Sequence, residues 1–257
     1  AMQSIDTVFH LAALIGIPYS YVSPLAYIKT NVEGTYNVLE AGKNLGLEQV
    51  LITSTSETYG TAQYVPIDED HPLVGQSPYA ASKIAADQLA LSYYLSFDLP
   101  VKIVRPFNTY GPRQSARAVL PTILAQILSG REEIHLGALF PRRDMTFVDD
   151  TVTGFLMAGS TQEAFGRTVH LGTGRAVSVK ELAELAMDVL GVKARVVSTD
   201  ERLRPAKSEV DCLLSDPSLA ASLLGWRHQV ALEDGILRTA DWLRDRLQDH
   251  KYGQYLI

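Results

Sequence analysis

The sequence is short of features that mark several large classes of protein. Cys212 is the only cysteine among 257 residues, which excludes an intrachain disulfide and a cysteine-based zinc site and suits a reducing compartment. No apolar run approaches the ~18 residues of a membrane span. The opening AMQSID has neither the basic nor the apolar region of a secretory leader. A cytoplasmic protein with no membrane partner and no metal is the expectation. Basic residues are also in deficit: 23 Lys and Arg against 29 Asp and Glu leave a formal net charge of −6. That argues against general affinity for nucleic acid. There is no repeat of fixed period and no low-complexity tract.

What remains is a globular composition in a chain long enough for one elaborated domain or two intimate ones. Short apolar, β-branched runs at 6–13, 49–56, 100–107 and 167–174 read as strands. The first three have few polar positions inside, as expected of strands buried on both faces of a parallel sheet. Helical spacing fills 29–45, 78–96, 117–129, 149–159, 178–190, 215–224 and 232–248. Ser77-Pro78 places proline in a first helical turn, and Ser178 opens a capping box with Glu181. Gly46 and Gly191 stand where helices end. The alternation predicts a doubly wound α/β fold with a parallel sheet. Such sheets bind ligands beyond the carboxyl ends of their strands, where strand order reverses. HLAA, TSTSE and RPFN are all strand-end sequences, so three segments are expected to converge on one crevice.

Within SPYAASK, Tyr79 and Lys83 are four residues apart, about one helical turn, and share a helix face. An ammonium beside a phenol favours the phenolate and moves it toward use as a base. The pair falls about twenty residues after a strand that ends in Thr55, Ser56 and Glu57.

The segments FHLAA (9–13), TNVEGTYNVLEAG (30–42), TSTSETYG (53–60), SPYAASK (77–83), RPFNTYGPRQ (105–114) and RRDMTFVDD (142–150) resemble the extended short-chain dehydrogenase/reductase family. In particular they resemble its NAD-dependent nucleotide-sugar epimerases and dehydratases. HLGTG (170–174) and the late WRHQVALEDGILRTADWLR (226–244) extend the resemblance along almost the whole chain. The family opens with a strand, a GxxGxxG turn and a helix that hold the cofactor pyrophosphate, and no such motif is present here. The expectation is a Rossmann sheet whose N-terminal βαβ portion is missing from this chain.

The resemblance implies roles. Tyr79 takes the proton of the sugar 4-hydroxyl while hydride passes from C4 to NAD. Lys83 lowers the Tyr79 pKa and holds the nicotinamide ribose, and Thr55 hydrogen-bonds the reacting oxygen. An epimerase needs no more. A 4,6-dehydratase must also remove the C5 proton and expel the C6 hydroxyl, and Glu57 stands where dehydratases place that base. One dehydratase branch, acting on dTDP-glucose, has Thr-Asp-Glu here. Thr-Ser-Glu looks more like the GDP-mannose 4,6-dehydratases, with Ser56 relaying a proton to the leaving water. UDP-glucuronate decarboxylases share a similar Ser-Glu pair and are the main rival, followed by a C4 epimerase. A non-catalytic nucleotide-sugar-binding protein is the alternative outside enzymes.

His10, Leu11, Ala12, Ala13, Asn31 and Pro106, with Tyr79 and Lys83, are expected beside NAD. Asn108, Arg113, Arg143 and Arg204 are expected on the nucleotide diphosphate, since the guanidinium fork suits phosphate. Arg117 is similar in type but weaker. Cys212 is expected simply to pack. The stretch ALIGIPYSY (13–21) would line the sugar pocket and looks most like a subgroup acting on nucleotide-activated N-acetylglucosamine in pathways of the legionaminic-acid type. The implied division is an NAD part, 1–112 and 144–174, and a smaller mixed α/β substrate part, 113–143 and 175–257. Helices 29–45 and 78–96 resemble those through which family members pair as homodimers.

Overall fold

A computed structural model of the chain describes residues 2–199 and 204–247. In chain order its strands are β1 Thr7–His10, β2 Gln49–Thr53, β3 Val101–Pro106, β4 Asn108–Tyr110, β5 Glu133–Leu136, β6 Arg142–Phe147, β7 Thr168–Leu171, β8 Ala176–Ser178, β9 Arg195–Ser198 and β10 Cys212–Leu213. Its α-helices are α1 Ile17–Val22, α2 Pro24–Tyr27, α3 Gly34–Leu45, α4 Pro78–Phe97, α5 Val119–Leu128, α6 Val148–Ser160, α7 Val179–Leu190 and α8 Leu232–Arg244.

The main sheet has the order β1-β2-β3-β7, with every pair parallel. Side chains alternate between its faces, and the core divides accordingly. Val50, Ile52, Val101 and Ile103 pack with Leu39 of α3 and Ala90 and Tyr93 of α4. Leu51, Val104, Val169 and Leu171 pack on the other face with Phe155 and Ala158 of α6 and with Trp226. Helices on both faces explain why these strands read as nearly unbroken apolar runs. The four strands lie side by side in chain order, so no reversal of strand order occurs within this sheet. The candidate site forms along the carboxyl ends of these strands.

A second core gathers α5, α7 and α8 around Ile134, Leu136, Met145 and Phe147. Beside it, β6 pairs parallel with β4 and β10 and antiparallel with β8, while β5 pairs with β9.

The helix signals are realised locally. The Ser77 hydroxyl accepts from Ala80 N at the start of α4, and Ser178 and Glu181 form the reciprocal capping box of α7. Gly46 and Gly191 take left-handed backbone at the ends of α3 and α7, which glycine adopts without a Cβ penalty. Two expectations change. The helix expected over 29–45 begins as a π-helical turn, Ile28–Glu33, before α3. The helix expected over 215–224 is reduced to a π-helical turn, Ala220–Leu224. Ser215 is held out of it by a bridge to Ile67 and by Asp144, which accepts its hydroxyl at 2.6 Å. Residue 248 of the helix expected over 232–248 lies outside the described residues.

Candidate active site

Tyr79 is placed by the first turn of α4, where proline fixes the backbone and Ser77 caps it. It is buried, its ring meets Tyr27 edge-on at 6.2 Å, and its phenol is hydrogen-bonded by the Thr55 hydroxyl. Thr55 caps a 3-10 turn, Ser56–Tyr59, into which β2 runs, and its Oγ1 also accepts from Glu57 N at 3.3 Å. This is why an apolar strand breaks into TSTSE: the turn presents Thr55 to Tyr79 and carries Glu57 outward. Ser56 is 2% exposed.

Lys83 follows one turn later and is also buried; its Nζ donates to the Thr53 carbonyl at 2.6 Å. Burial holds the Lys83 ammonium below its usual range, with Asp87 pulling up and Arg105 down. Lys83 is expected to favour a Tyr79 phenolate, and burial acts against that. Burial pushes the Tyr79 phenol well above its ordinary value, the Thr55 hydrogen bond offsets part of this, and the charges of Glu57 and Asp87 push further up.

His10 ends β1, and its Nε2 lies 3.1 Å from the Thr35 hydroxyl. Thr35 donates its own proton to Asn31 O at 2.6 Å, so the imidazole is the donor to Thr35. Burial, then Lys83, lowers the His10 pKa and keeps the ring neutral. Leu11, Ala12 and Ala13 continue from β1, Leu11 with its side chain exposed. Pro106 closes β3 opposite Leu171. Asn31, expected as a cofactor ligand, spends its amide internally. Its Oδ1 accepts from Leu14 N at 2.8 Å, and its Nδ2 donates to Leu14 O at 3.0 Å and Ser82 Oγ at 2.9 Å. It braces the chain after β1 against α4.

A cavity of about 280 Å³ opens beside these residues, lined among others by Asn108, Arg117, Arg143, Arg204 and Glu209. Arg143 is anchored by Nη1 donating to Val210 O at 2.8 Å and Arg142 O at 3.0 Å, which leaves Nη2 toward the acids. Arg143 Nη2 and Arg204 Nη1 each stand 3.9 Å from Glu57, and 3.5 and 3.6 Å from Glu209. Among the described residues Asn108 Oδ1 and Arg204 Nη1 are buried without a hydrogen-bond partner, Arg204 Nη1 having only the two longer ion pairs, and buried polar groups are ordinarily hydrogen-bonded. Glu57 thus joins the Tyr79 corner to an arginine-lined cavity.

Arg113, expected on the diphosphate, is exposed on a left-handed turn residue with φ 68° and is not among the residues lining this cavity. Arg117, four residues on, lines it; sequence gives the two the same chemistry, and only the turn before α5 separates them. Glu209 and Asp87 were not singled out at all. For Asp87 a signal existed, since it lies four residues beyond Lys83 on the same helix face.

The family model for GDP-mannose 4,6 dehydratase matches residues 1–239. A dTDP-glucose 4,6-dehydratase of Streptomyces antibioticus is 34% identical over 246 residues, covering 95% of this chain and 72% of that protein. A UDP-glucuronate 4-epimerase of Thermodesulfobacterium geofontis is 30% identical over 247 residues, covering 95% of this chain and 74% of the relative. Among solved structures, TunA, an NAD-dependent NDP-hexosamine 5,6-dehydratase involved in tunicamycin biosynthesis, superposes with a TM-score of 0.88 at 30% identity. That match covers 97% of this chain and 80% of TunA. No described helix is long and apolar enough to cross a membrane.

Proposed function

Since the chain belongs to the GDP-mannose 4,6-dehydratase family of nucleotide-sugar dehydratases and epimerases, we propose that it is an NAD-dependent nucleotide-sugar 4,6-dehydratase. The substrate we favour is a nucleotide-activated N-acetylhexosamine, and the product a 4-keto-6-deoxy sugar nucleotide. The observation that carries the reading is Glu57, an acid/base group beside the Thr55–Tyr79 hydrogen bond and 3.9 Å from two arginines of the cavity. Interconversion at C4 alone leaves that carboxylate without a task.

The residues present fit NAD at the ends of β1 and β2. Thr53 Oγ1 is buried without a partner, and Lys83 has one acceptor, Thr53 O, for its three N–H groups. His10, Leu11, Ala12, Ala13, Pro106, Tyr79 and Lys83 would adjoin the cofactor, and Asn31 would order the loop that meets it. NAD, when bound, would supply the hydride acceptor for C4 and the hydride donor for C6. Tyr79 removes the proton of the 4-hydroxyl, with Thr55 hydrogen-bonding the reacting oxygen. Glu57 then takes the C5 proton and, through Ser56, protonates the departing C6 hydroxyl. Arg143, Arg204 and Asn108 hold the diphosphate in the cavity, where paired guanidiniums suit phosphate oxygens. The proton taken up by Tyr79 balances the one that C5 regains when hydride reaches C6.

In this reading residues 1–112 and 144–174 serve NAD, and 113–143 and 175–257 serve the nucleotide sugar; of the latter, 200–203 and 248–257 lie outside the described residues. The exposed Tyr36 of α3 and Leu95 and Phe97 of α4 support a homodimer through these helices. Sedimentation at micromolar concentration tests that, and a monomer alone would refute it. Ser56, a weak acid, favours a second reading as a UDP-glucuronate decarboxylase or C4 epimerase using the same Tyr79 and Lys83.

Glu57→Gln separates the readings. It is expected to retain C4 oxidation, seen as reduced-nicotinamide absorbance, while water loss falls by about a hundredfold or more, the worth of a positioned acid/base group. Water release at nearly the normal rate would remove Glu57 from the mechanism.

A further inference from the structure

Behind Tyr79 and Lys83 lies a buried ionic cluster to which the reaction above gives no task. Asp87 is one turn beyond Lys83 on α4 and 1% exposed. Its Oδ2 accepts from Arg105 Nη2 at 2.7 Å and from the Ser54 hydroxyl. Arg105 Nε donates to the same hydroxyl at 3.2 Å, and its Nη1 to the Tyr59 hydroxyl. Ser54 N is tied to Val104 O of β3 at 2.7 Å. Lys83 meanwhile donates to the carbonyl of Thr53, the residue before Ser54. The contacts close a ring: Lys83 to Thr53, along the chain to Ser54, across to Asp87, and back up one helical turn. Thr55, which bonds Tyr79, is the next residue of the same segment.

We propose that Asp87, clamped by Arg105 and Ser54, is a positioning residue that fixes residues 53–55 against α4 and so aims the Lys83 ammonium and the Thr55 hydroxyl at the reacting end of the site. The proposal rests on the reading of Tyr79, Lys83 and Thr55 given above. A purely structural ion pair would not need to share its anchor with the carbonyl that holds Lys83. The surrounding charges agree. The charges acting on Lys83 are those of Asp87 on its own helix and Arg105 on β3, and Lys83 in turn acts on His10 of β1; Glu57 and Asp87 act on Tyr79 one turn back. Burial and Arg105 disfavour the ammonium, and Asp87 is the group that favours it. Asp87 Oδ1, buried without a partner, adds a carboxylate oxygen whose charge no hydrogen bond occupies.

Asp87→Asn tests this, because it keeps size and one acceptor for Arg105 and Ser54 while removing the charge. The titration of Lys83 Nζ is followed by ¹⁵N NMR of the full chain without cofactor or substrate, its signal assigned by loss in Lys83→Met. The midpoint is expected to move to lower pH in Asp87→Asn and to return in Asp87→Glu. In turnover, kcat is expected to fall about tenfold to a hundredfold, the scale of a misaimed reacting group, with the sugar KM changed less than about twofold, as for an interaction absent from substrate binding. If Asp87→Asn does not fold, Ser54→Ala removes one side of the clamp while keeping the charge and is expected to lower kcat with the sugar KM changed less than about twofold; an unchanged kcat would overturn the proposal. An unchanged Lys83 titration in folded Asp87→Asn would overturn it as well. Wild-type protein that turns over no nucleotide sugar would refute the proposed reaction, whereas the shifted titration would still support the clamp.

Discussion

Asp144 is the side chain that ties together the loops after β7 and β10, and its replacement gives a prediction whose size follows from the hydrogen bonds. It is wholly buried, next to Arg143 on β6. Oδ1 accepts from Thr173 N at 2.8 Å and Thr173 Oγ1 at 2.7 Å. Oδ2 accepts from Gly174 N at 2.9 Å, Ser215 N at 3.3 Å and Ser215 Oγ at 2.6 Å. Asp144→Asn is nearly isosteric but has one acceptor oxygen and one amide nitrogen. With the oxygen toward Gly174 and Ser215, Thr173 N is stranded; turned the other way, Gly174 N and Ser215 N are. One stranded buried donor costs about 1–3 kcal/mol, and loss of charge assistance from the remaining bonds roughly 1–2 more. The sum, about 2–5 kcal/mol, lowers Tm by about 5–20 °C at the slope typical of a chain this size. Urea and thermal unfolding read it directly. A Tm within about 2 °C of wild type, less than ~1 kcal/mol, would show that Asp144 does not anchor these loops and refute the reasoning.

Other expectations concern particular residues. His170 is fully buried, and burial, then Arg105, holds its pKa well below the usual value. Arg105 donates to the Tyr59 hydroxyl, which lies 2.5 Å from His170 Nε2. Stability from the neutral imidazole is complete above the unfolded value of about 6.5 and is lost as pH falls toward the folded one. His170→Gln is therefore expected to melt lower at pH 7 but to lose less Tm between pH 7 and 5; an equal slope would contradict this. Arg117→Ala is expected to weaken binding of UDP or GDP about tenfold, as a lost charge-assisted bond of ~1.5 kcal/mol does, while Arg113→Ala leaves it unchanged. Isothermal titration distinguishes them, and equal losses would return Arg113 to the site.

What could be read in advance was what local spacing determines. The runs around Val50, Leu51 and Ile52 and around Val101, Ile103 and Val104 are nearly unbroken, with Lys102 the one polar residue inside the second, because helices cover both faces, and that signal survives in one dimension. Tyr79 and Lys83 are legible because one helical turn joins them. Short pairings were not: β10 is Cys212–Leu213, two residues paired with Arg142 and Arg143, and no periodicity exists over two positions. Asn31 shows the same limit from the other side. Its type and place in TNVEGT suggested a ligand, but three internal hydrogen bonds to residues 17 and 51 positions away decide what its amide does. For Tyr79, spacing reports the nearby ammonium and says nothing of burial, the largest influence on its phenol. Glu209 and Arg117 meet Arg143 and Arg204 around the cavity only through tertiary packing.

The central claim is loss of water from a hexose nucleotide, and mass spectrometry of nucleotide sugars after incubation with the protein and NAD tests it most directly. The panel is UDP-N-acetylglucosamine, GDP-N-acetylglucosamine, dTDP-glucose, GDP-mannose and UDP-glucuronate. The account predicts loss of one water from a hexose substrate, with an N-acetylglucosamine nucleotide preferred. Loss of carbon dioxide from UDP-glucuronate alone, or C4 inversion with no change in mass, would contradict it and leave Glu57 without the role proposed.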